Sequence, residues 1–420
     1  MPERPTPEIS VAEHQHTVLT RDQLTEADLR RLRILQDRGR LRLRQVGSSW
    51  RVEVKSAAGV LVLDRVRLLL RPKLPIHGSR LIEWLCYAQG VPVPHEQTLR
   101  QWQTGSLGYA GVVLPALLLE CRQLLNRGLH RDYRPRERVE TALRGRLDVR
   151  AQAVRRFGTV DRLHVRTFER EVETWENLVC GAALAAATTM ADQPALARAL
   201  QDTAAAFPRP RLPYTAERHL DRARYTRLNA HYRPAHTWSR LVLGGGGVDD
   251  LLLDRGTRAG SVVLHLDNLW ERVVRQMAAE AAAETGGRLA GATEGRIVTD
   301  GEPGLSRSSF RPDVLLAFDS AAGPSRLLAL DAKYKGYQGK RVSAADRHQL
   351  LTYIAGYTTP ASPLAVIVHP EGPSRYTLTV DSPRGPLGRI EVLGLDPALP
   401  PRQAAEPLRR VIAEFAAATG

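Results

Sequence analysis

Two apolar runs near the C-terminus constrain this chain most: RPDVLLAF (311–318) and LLALDAKYK (327–335), separated by an Ala/Gly/Pro/Ser turn. Short apolar runs bounded by turn residues read as strands, here paired as a hairpin. Side chains alternate along a strand, so Asp331 and Lys333 share a face while Ala332 points the other way. Asp313 opens the first strand. Two carboxylates and one ammonium therefore converge at one end of the hairpin.

Composition sharpens this reading. The chain holds 60 Lys+Arg but only five lysines, Lys55, Lys73, Lys333, Lys335 and Lys340. Three of the five lie in DAKYKGYQGK, in a chain otherwise biased toward arginine, so the cluster needs a cause. Lysine is a compact charge whose pKa shifts with its surroundings, whereas arginine stays charged. An isolated D-x-K on a strand is usually a surface ion pair. The preceding Pro-Asp and the lysine bias favour catalysis instead.

The chemistry matching such a group is metal-assisted phosphodiester hydrolysis. It needs an in-line water, stabilisation of charge on the phosphorane and help for the leaving oxygen. Asp313 and Asp331 are expected to ligate Mg²⁺, with Mn²⁺ as a substitute and the Ala332 carbonyl as a third oxygen. Lys333 would orient or help deprotonate the water and stabilise the transition state. Glu271, near the start of the preceding helix, is either a further ligand or a surface acid favoured by the helix dipole. Gln349 and Tyr353, spaced i, i+4, share a helix face from which they would position the metal site or contact a DNA phosphate. His348 and His369 stand nearby and read as structural.

Along the chain, residues 1–78 form a loose tail, a helix capped by Asp22 and a small antiparallel β unit. Residues 79–243 are mainly helical, with Gly128 a helix stop and a dense arginine region from Arg131 to Arg156. Residues 244–262 are a Gly-rich linker, and 263–420 order as helix, hairpin, helix and strands, an α/β core with a mixed sheet. The formal net charge of +15 and pI near 10.2 point to a polyanionic partner, double-stranded DNA first. Cys86, Cys121 and Cys180 have no metal spacing and read as core thiols of a reducing cytoplasm. No apolar run reaches a membrane span and no secretory h-region opens the chain, so a cytoplasmic location is expected. The pattern G-x-x-x-x-G-K-[ST] does not occur, so the chain carries no P-loop of its own.

Asp313, Asp331 and Lys333, followed by a Gln349-x-x-x-Tyr353 element, resemble the PD-(D/E)xK nuclease core. More specifically the chain resembles the McrC family, the nuclease subunit of McrBC-type modification-dependent restriction systems. VRLLLRPKLPI resembles that family's N-terminal strand ending in Pro-Lys. RGLHRDYRP…LRGRLD (127–148) and ETWENLV (173–179) resemble its middle signatures, and LDNLWERVV (266–274) its entry to the nuclease domain. The resemblance implies an α+β multidomain protein whose C-terminal domain is a restriction-endonuclease-like PD-(D/E)xK core. It also implies a Mg²⁺-dependent endonuclease of antiviral defence, acting on 5-methylcytosine-type DNA. Cleavage would require a separate McrB-like AAA+ GTPase hexamer, whose GTP hydrolysis the N-terminal region stimulates. The alternatives are a stand-alone nuclease of repair or recombination, and a catalytically decayed adaptor that activates a motor. The tail and the Pro/Arg-rich stretch before residue 244 match no part of the family.

Overall fold

The computed structural model describes residues 7–37, 39–73, 78–90, 93, 110–158, 161–191, 193–209, 215–243, 262–291, 297–298, 309–320, 323–337, 341–358 and 363–418. The glycine-rich linker, except its last residue, and Lys340 lie outside the described residues. By contacts the chain divides into two compact units. One comprises residues 1–59, 65–93 and 263–420, the other 60–64 and 94–262.

The first unit begins where a loose tail was expected, and instead forms strands. β1 (Glu8–Ala12) and β2 (His16–Leu19) lead into α1 (Glu26–Asp37), β3 (Leu41–Val46), β4 (Ser49–Val54), β5 (Arg67–Arg71) and α2 (Gly78–Gln89). β1 pairs in parallel with β5, Ile9 opposite Leu68, and β2 joins the antiparallel sheet β2-β4-β3. Strands this short acquire order only from partners far along the chain, a signal no local pattern carries. Helix α1 starts later than expected, because Thr25 rather than Asp22 is its cap. The Thr25 N–H donates to Asp28 Oδ2 at 3.0 Å and the Asp28 N–H to Thr25 Oγ1 at 3.2 Å, a reciprocal box.

The second unit is built on α3 (Ala110–Arg127), α5 (Trp175–Met190), α6 (Pro194–Ala205) and α7 (Arg233–Leu243). Leu114, Leu117, Leu184, Leu200 and Trp238 are buried there, with Cys121 and Cys180 as free core thiols. Gly128, at φ +85°, ends α3 as expected. The stretch after it departs from the helical expectation. β6 (Asp132–Glu140), β7 (Arg146–Leu147), the short α4 (Val149–Arg155) and β8 (Leu163–Glu171) make a sheet in the order β6-β8-β7. β6 and β8 pair antiparallel from Asp132–Glu171 to Glu140–Leu163. Alternating opposite charges hold this ribbon, with Arg136 on Glu171, Arg138 on Glu169 and Arg166 on Glu137. Cross-strand pairing of this kind selects strand over helix despite the helix-forming composition.

The C-terminal part of the first unit contains α8 (Leu266–Glu284), β9 (Gly287–Leu289), β10 (Val314–Ser320), β11 (Gly323–Ala332), α9 (Ala344–Tyr357), β12 (Leu364–His369), β13 (Ser374–Ser382), β14 (Gly385–Gly394) and α10 (Glu406–Ala417). The expected hairpin is β10–β11, Val314 opposite Leu330. It sits inside a six-stranded mixed sheet, β9-β10-β11-β12-β14-β13, parallel at β11–β12 and β12–β14. Val314, Leu316, Leu328 and Leu330 face the core shared with α8 and α10, whereas Leu315, Ala317 and Ala329 face the core shared with α9. Each fully buried Leu or Val contributes roughly 1.5–3 kcal/mol. Both faces are thus covered, which is why these strands read as continuous apolar runs. The boundary expected at residue 79 does not separate the units. In α2, Trp84 stacks on Trp270 of α8 at 5.7 Å and the Tyr87 hydroxyl donates to Glu280 at 2.8 Å. The fold is α+β.

Candidate active site

The site forms at the end of the hairpin, where β10 begins and β11 ends. β11 alternates its side chains, so Asp331 and Lys333 follow Ala329 onto the α9 face while Ala332 and Tyr334 pack with the opposite core. Asp331 is 1% exposed. The Lys333 ammonium stands 2.6 Å from Asp331 Oδ2 and donates to Gln349 Oε1 at 3.0 Å. The expected acid–lysine pair is therefore made. The Lys333 backbone N–H donates to Val368 O at 2.9 Å, extending the parallel ladder one residue beyond β11.

Asp313 lies across from them. Its Oδ2 accepts the Ala332 backbone N–H at 2.7 Å, which draws the first strand's acid to the end of the second strand. Arg275 of α8 donates to the Asp313 carbonyl at 3.2 Å. Burial and then the charge of Asp331 push the Asp313 carboxyl up to about 6, and Glu271 adds to the rise from α8. Glu271 itself is exposed. Among the described residues no three His, Cys, Asp or Glu side chains are grouped closely enough to hold an ion by themselves. Glu271 acts on the pair here through its charge.

Helix α9 supplies the rest. Ser343 caps it, accepting the Asp346 N–H at 3.1 Å, and Leu350, Ile354 and Tyr357 face the core. Gln349 bridges the acids' partner and the helix. Its Nε2 donates to Asp331 Oδ1 at 3.2 Å and to the Tyr353 hydroxyl at 2.8 Å. Tyr353 in turn donates to the Arg311 carbonyl at 3.0 Å, and Tyr357 to the Phe310 carbonyl at 2.9 Å. Tyr353 is 3% exposed and holds the carbonyl two residues before Asp313.

The lysine cluster divides by function. Lys333 enters the site, while Lys335 binds both oxygens of Asp346, at 2.9 and 2.7 Å, beside the hydroxyls of Tyr337 and Ser343. Asp346 is thus a helix-cap residue that also anchors the loop after Lys333. No sequence motif pointed to this anchor, which joins residues 11 apart. His369 is buried against the Tyr337 ring at 5.3 Å, burial holds its pKa below the usual imidazole range, and its Nδ1 accepts the Glu371 N–H. His348 is exposed. Neither histidine bonds to the acids or the lysine.

The middle signatures meet in the second unit. Asn177 donates to the carbonyls of His130 and Val172 at 2.8 and 2.7 Å and accepts the Tyr232 hydroxyl at 2.6 Å. Tyr232 also accepts the His130 N–H, and Glu176 accepts from Asn229 at 2.9 Å. These residues staple the segment after α3 to α5 and α7.

Comparison with known proteins agrees with the resemblance. A family model described as "McrBC 5-methylcytosine restriction system component" matches residues 52–370. No curated protein matches the chain. Among solved structures, the refined half-complex from a tetradecameric assembly of Thermococcus gammatolerans McrB AAA+ hexamers with bound McrC is similar at TM-score 0.61 and 16% identity, covering 97% of this chain and 100% of that one. The McrBC complex of the same organism is similar at TM-score 0.46 and 16% identity, covering 65% and 88%. A family match across well over half of the chain decides the assignment: this protein belongs to the McrBC restriction-system component family, as a member of its McrC branch.

Proposed function

We propose that this chain is the DNA-cutting subunit of a modification-dependent restriction system, a metal-dependent endodeoxyribonuclease with a PD-(D/E)xK core. The observation carrying this reading is the joined set Asp313, Asp331, Lys333, Gln349 and Tyr353 at one sheet end. A divalent cation suits the acids, since Asp313 and the buried Asp331 lie together at the sheet end, with the Asp313 carboxyl held up near 6 and one ammonium, that of Lys333, beside Asp331 Oδ2. Asp313 and Asp331 would hold Mg²⁺, or Mn²⁺, with the Ala332 carbonyl and Glu271 as further oxygens; when bound it would lower the pKa of a water and offset charge on the phosphate. Lys333 spends two N–H groups on Asp331 and Gln349, leaving the third for a phosphate oxygen. Its ammonium stabilises the charge that grows on the phosphorane. Gln349 fixes both the acid and the lysine, so neither must reorganise during reaction.

Partner choice follows from the ribbon of the second unit. Three of its arginines, Arg136, Arg138 and Arg166, are matched by Glu171, Glu169 and Glu137, which lowers their value as a phosphate track. Around them Phe157 is 88%, Val154 77%, Val149 69% and Phe168 64% exposed. Apolar side chains left in water beside cross-strand ion pairs fit a protein partner. We assign this ribbon to docking on a separate AAA+ GTPase of the McrB kind, whose hydrolysis the chain stimulates, and DNA to the nuclease end. In the test, the chain is mixed with that motor, GTP, Mg²⁺ and methylated plasmid. Cleavage should need every component, and Asp331→Ala should remove it while GTPase stimulation persists. Robust cutting by the chain alone would favour the stand-alone nuclease. Unchanged cleavage by both Asp331→Ala and Lys333→Ala would overturn the site.

A further inference from the structure

The loop leaving the active strand is held from two sides by alternate residues. Lys333, Lys335 and Tyr337 turn to α9, bonding Gln349 and Asp346. Tyr334 and Gly336 turn the other way. The Tyr334 hydroxyl donates to Glu13 Oε2 at 3.3 Å, and Gly336 lies directly against the Glu371 carboxylate, leaving no room for a Cβ. Glu13 follows β1 and is 3% exposed. Its Oε2 also accepts the backbone N–H of Lys73, which follows β5, at 3.0 Å, and the Lys73 ammonium stands 3.9 Å from Glu371. Its Oε1 faces the His14 imidazole at 3.6 Å. His14 has φ +61°, the one non-glycine residue with positive φ among those described. A non-glycine residue in that region costs on the order of 1 kcal/mol and persists where the surroundings over-determine it.

A carboxylate this buried is costly unless its contacts need it, and burial raises the Glu13 pKa. Two strands meet in this carboxylate, and its third contact is the residue next to Lys333. We propose that Glu13 and Tyr334 form a positioning link through which the β1–β5 strand pair sets where the Lys333 ammonium stands. This rests on the nuclease reading above. Displacing the N-terminal strands withdraws Glu13 from Tyr334 and loosens that side of the loop, so the lysine leaves Asp331 more often.

With only five lysines in the chain, the link is testable by mass spectrometry. Metal-free protein is treated with limiting acetic anhydride, and labelling at Lys333 is compared with Lys55, which pairs with Glu53. Tyr334→Phe and Glu13→Ala should raise the Lys333/Lys55 ratio about three- to tenfold, the population change expected from one lost hydrogen bond. Glu13→Gln, which keeps an acceptor, should restore the wild-type ratio. Single-turnover cleavage by the motor complex should fall by a similar factor in the first two variants and recover in the third. An unchanged ratio in Tyr334→Phe, or an equal rise at Lys55 from general loosening, overturns the link. If Lys333→Ala cuts DNA as well as wild type, the assignment of Lys333 to the cutting site falls, while the labelling ratio still decides the link on its own.

Discussion

Replacing Asp313 by Asn should make the protein more stable above neutral pH, because it removes a charge that the fold holds at a cost. Asp313 titrates at about 6 in the fold against an ordinary 3.8, with burial the first cause and the Asp331 charge the second. The sign follows from linkage. A carboxyl whose folded pKa is raised binds its proton more tightly folded than unfolded, so stability falls as pH rises from about 3.8 to about 6 and stays lower above that. About two pK steps at about 1.4 kcal/mol each set an upper value of roughly 3 kcal/mol. Asparagine keeps an oxygen for the Ala332 N–H but loses the charge assistance to that bond, so the net gain is on the order of 2 kcal/mol. For a unit of this size that corresponds to about 4–8 °C in Tm. The assay is thermal unfolding of metal-free wild type and Asp313→Asn at pH 4 and pH 8. The two should unfold within about 2 °C of each other at pH 4, where Asp313 is neutral in the fold and about half ionised in the unfolded chain, and separate further at pH 8. The variant should also cut no DNA. An Asp313→Asn protein less stable than wild type at pH 8 would show that the carboxylate is held in place by stabilising contacts, and would refute the electrostatic account.

The same titration predicts that Mg²⁺ binding near pH 6 releases about half a proton, and almost none at pH 8. Calorimetry in buffers of different ionisation enthalpy measures this, and equal release at both pH values would exclude Asp313 as the competing group. Asn177→Ala should destabilise the second unit by about 3 kcal/mol in urea unfolding, since it leaves two carbonyls and a tyrosine hydroxyl without their partner. A cost under about 0.5 kcal/mol would mean that water replaces those bonds. Val154→Ser combined with Phe157→Ser lies on exposed surface and should change stability by at most about 0.5 kcal/mol, yet abolish GTPase stimulation of the motor. Undiminished stimulation would remove the ribbon from the docking surface.

What the sequence made legible was chemistry confined to neighbouring elements. Asp313, Asp331, Lys333, Gln349 and Tyr353 fall within one hairpin and the helix after it. There the two-residue period of a strand and the four-residue step of a helix already say which side chains share a face. Contacts across larger separations left no such trace. The Tyr334–Glu13 hydrogen bond joins residues 321 apart, and the strand containing Ile9 takes its register from Leu68. A five-residue strand flanked by polar residues has too little pattern to be told from a tail. The ribbon was misread for a related reason. Arg and Glu favour helices intrinsically, and only the cross-strand matching of Arg136 with Glu171 and Arg138 with Glu169 makes a strand better. The middle signatures lie between these cases. Asn177 stands out in ETWENLV as a polar residue in an apolar helix, but its three partners come from segments up to 55 residues away. Such a residue announces itself in the sequence while its role waits for the fold. Glu13 carried the same kind of mark, a carboxylate following the apolar alternation of Ile9 and Val11. A buried acid such as Glu13 therefore marks where separate segments of the chain meet.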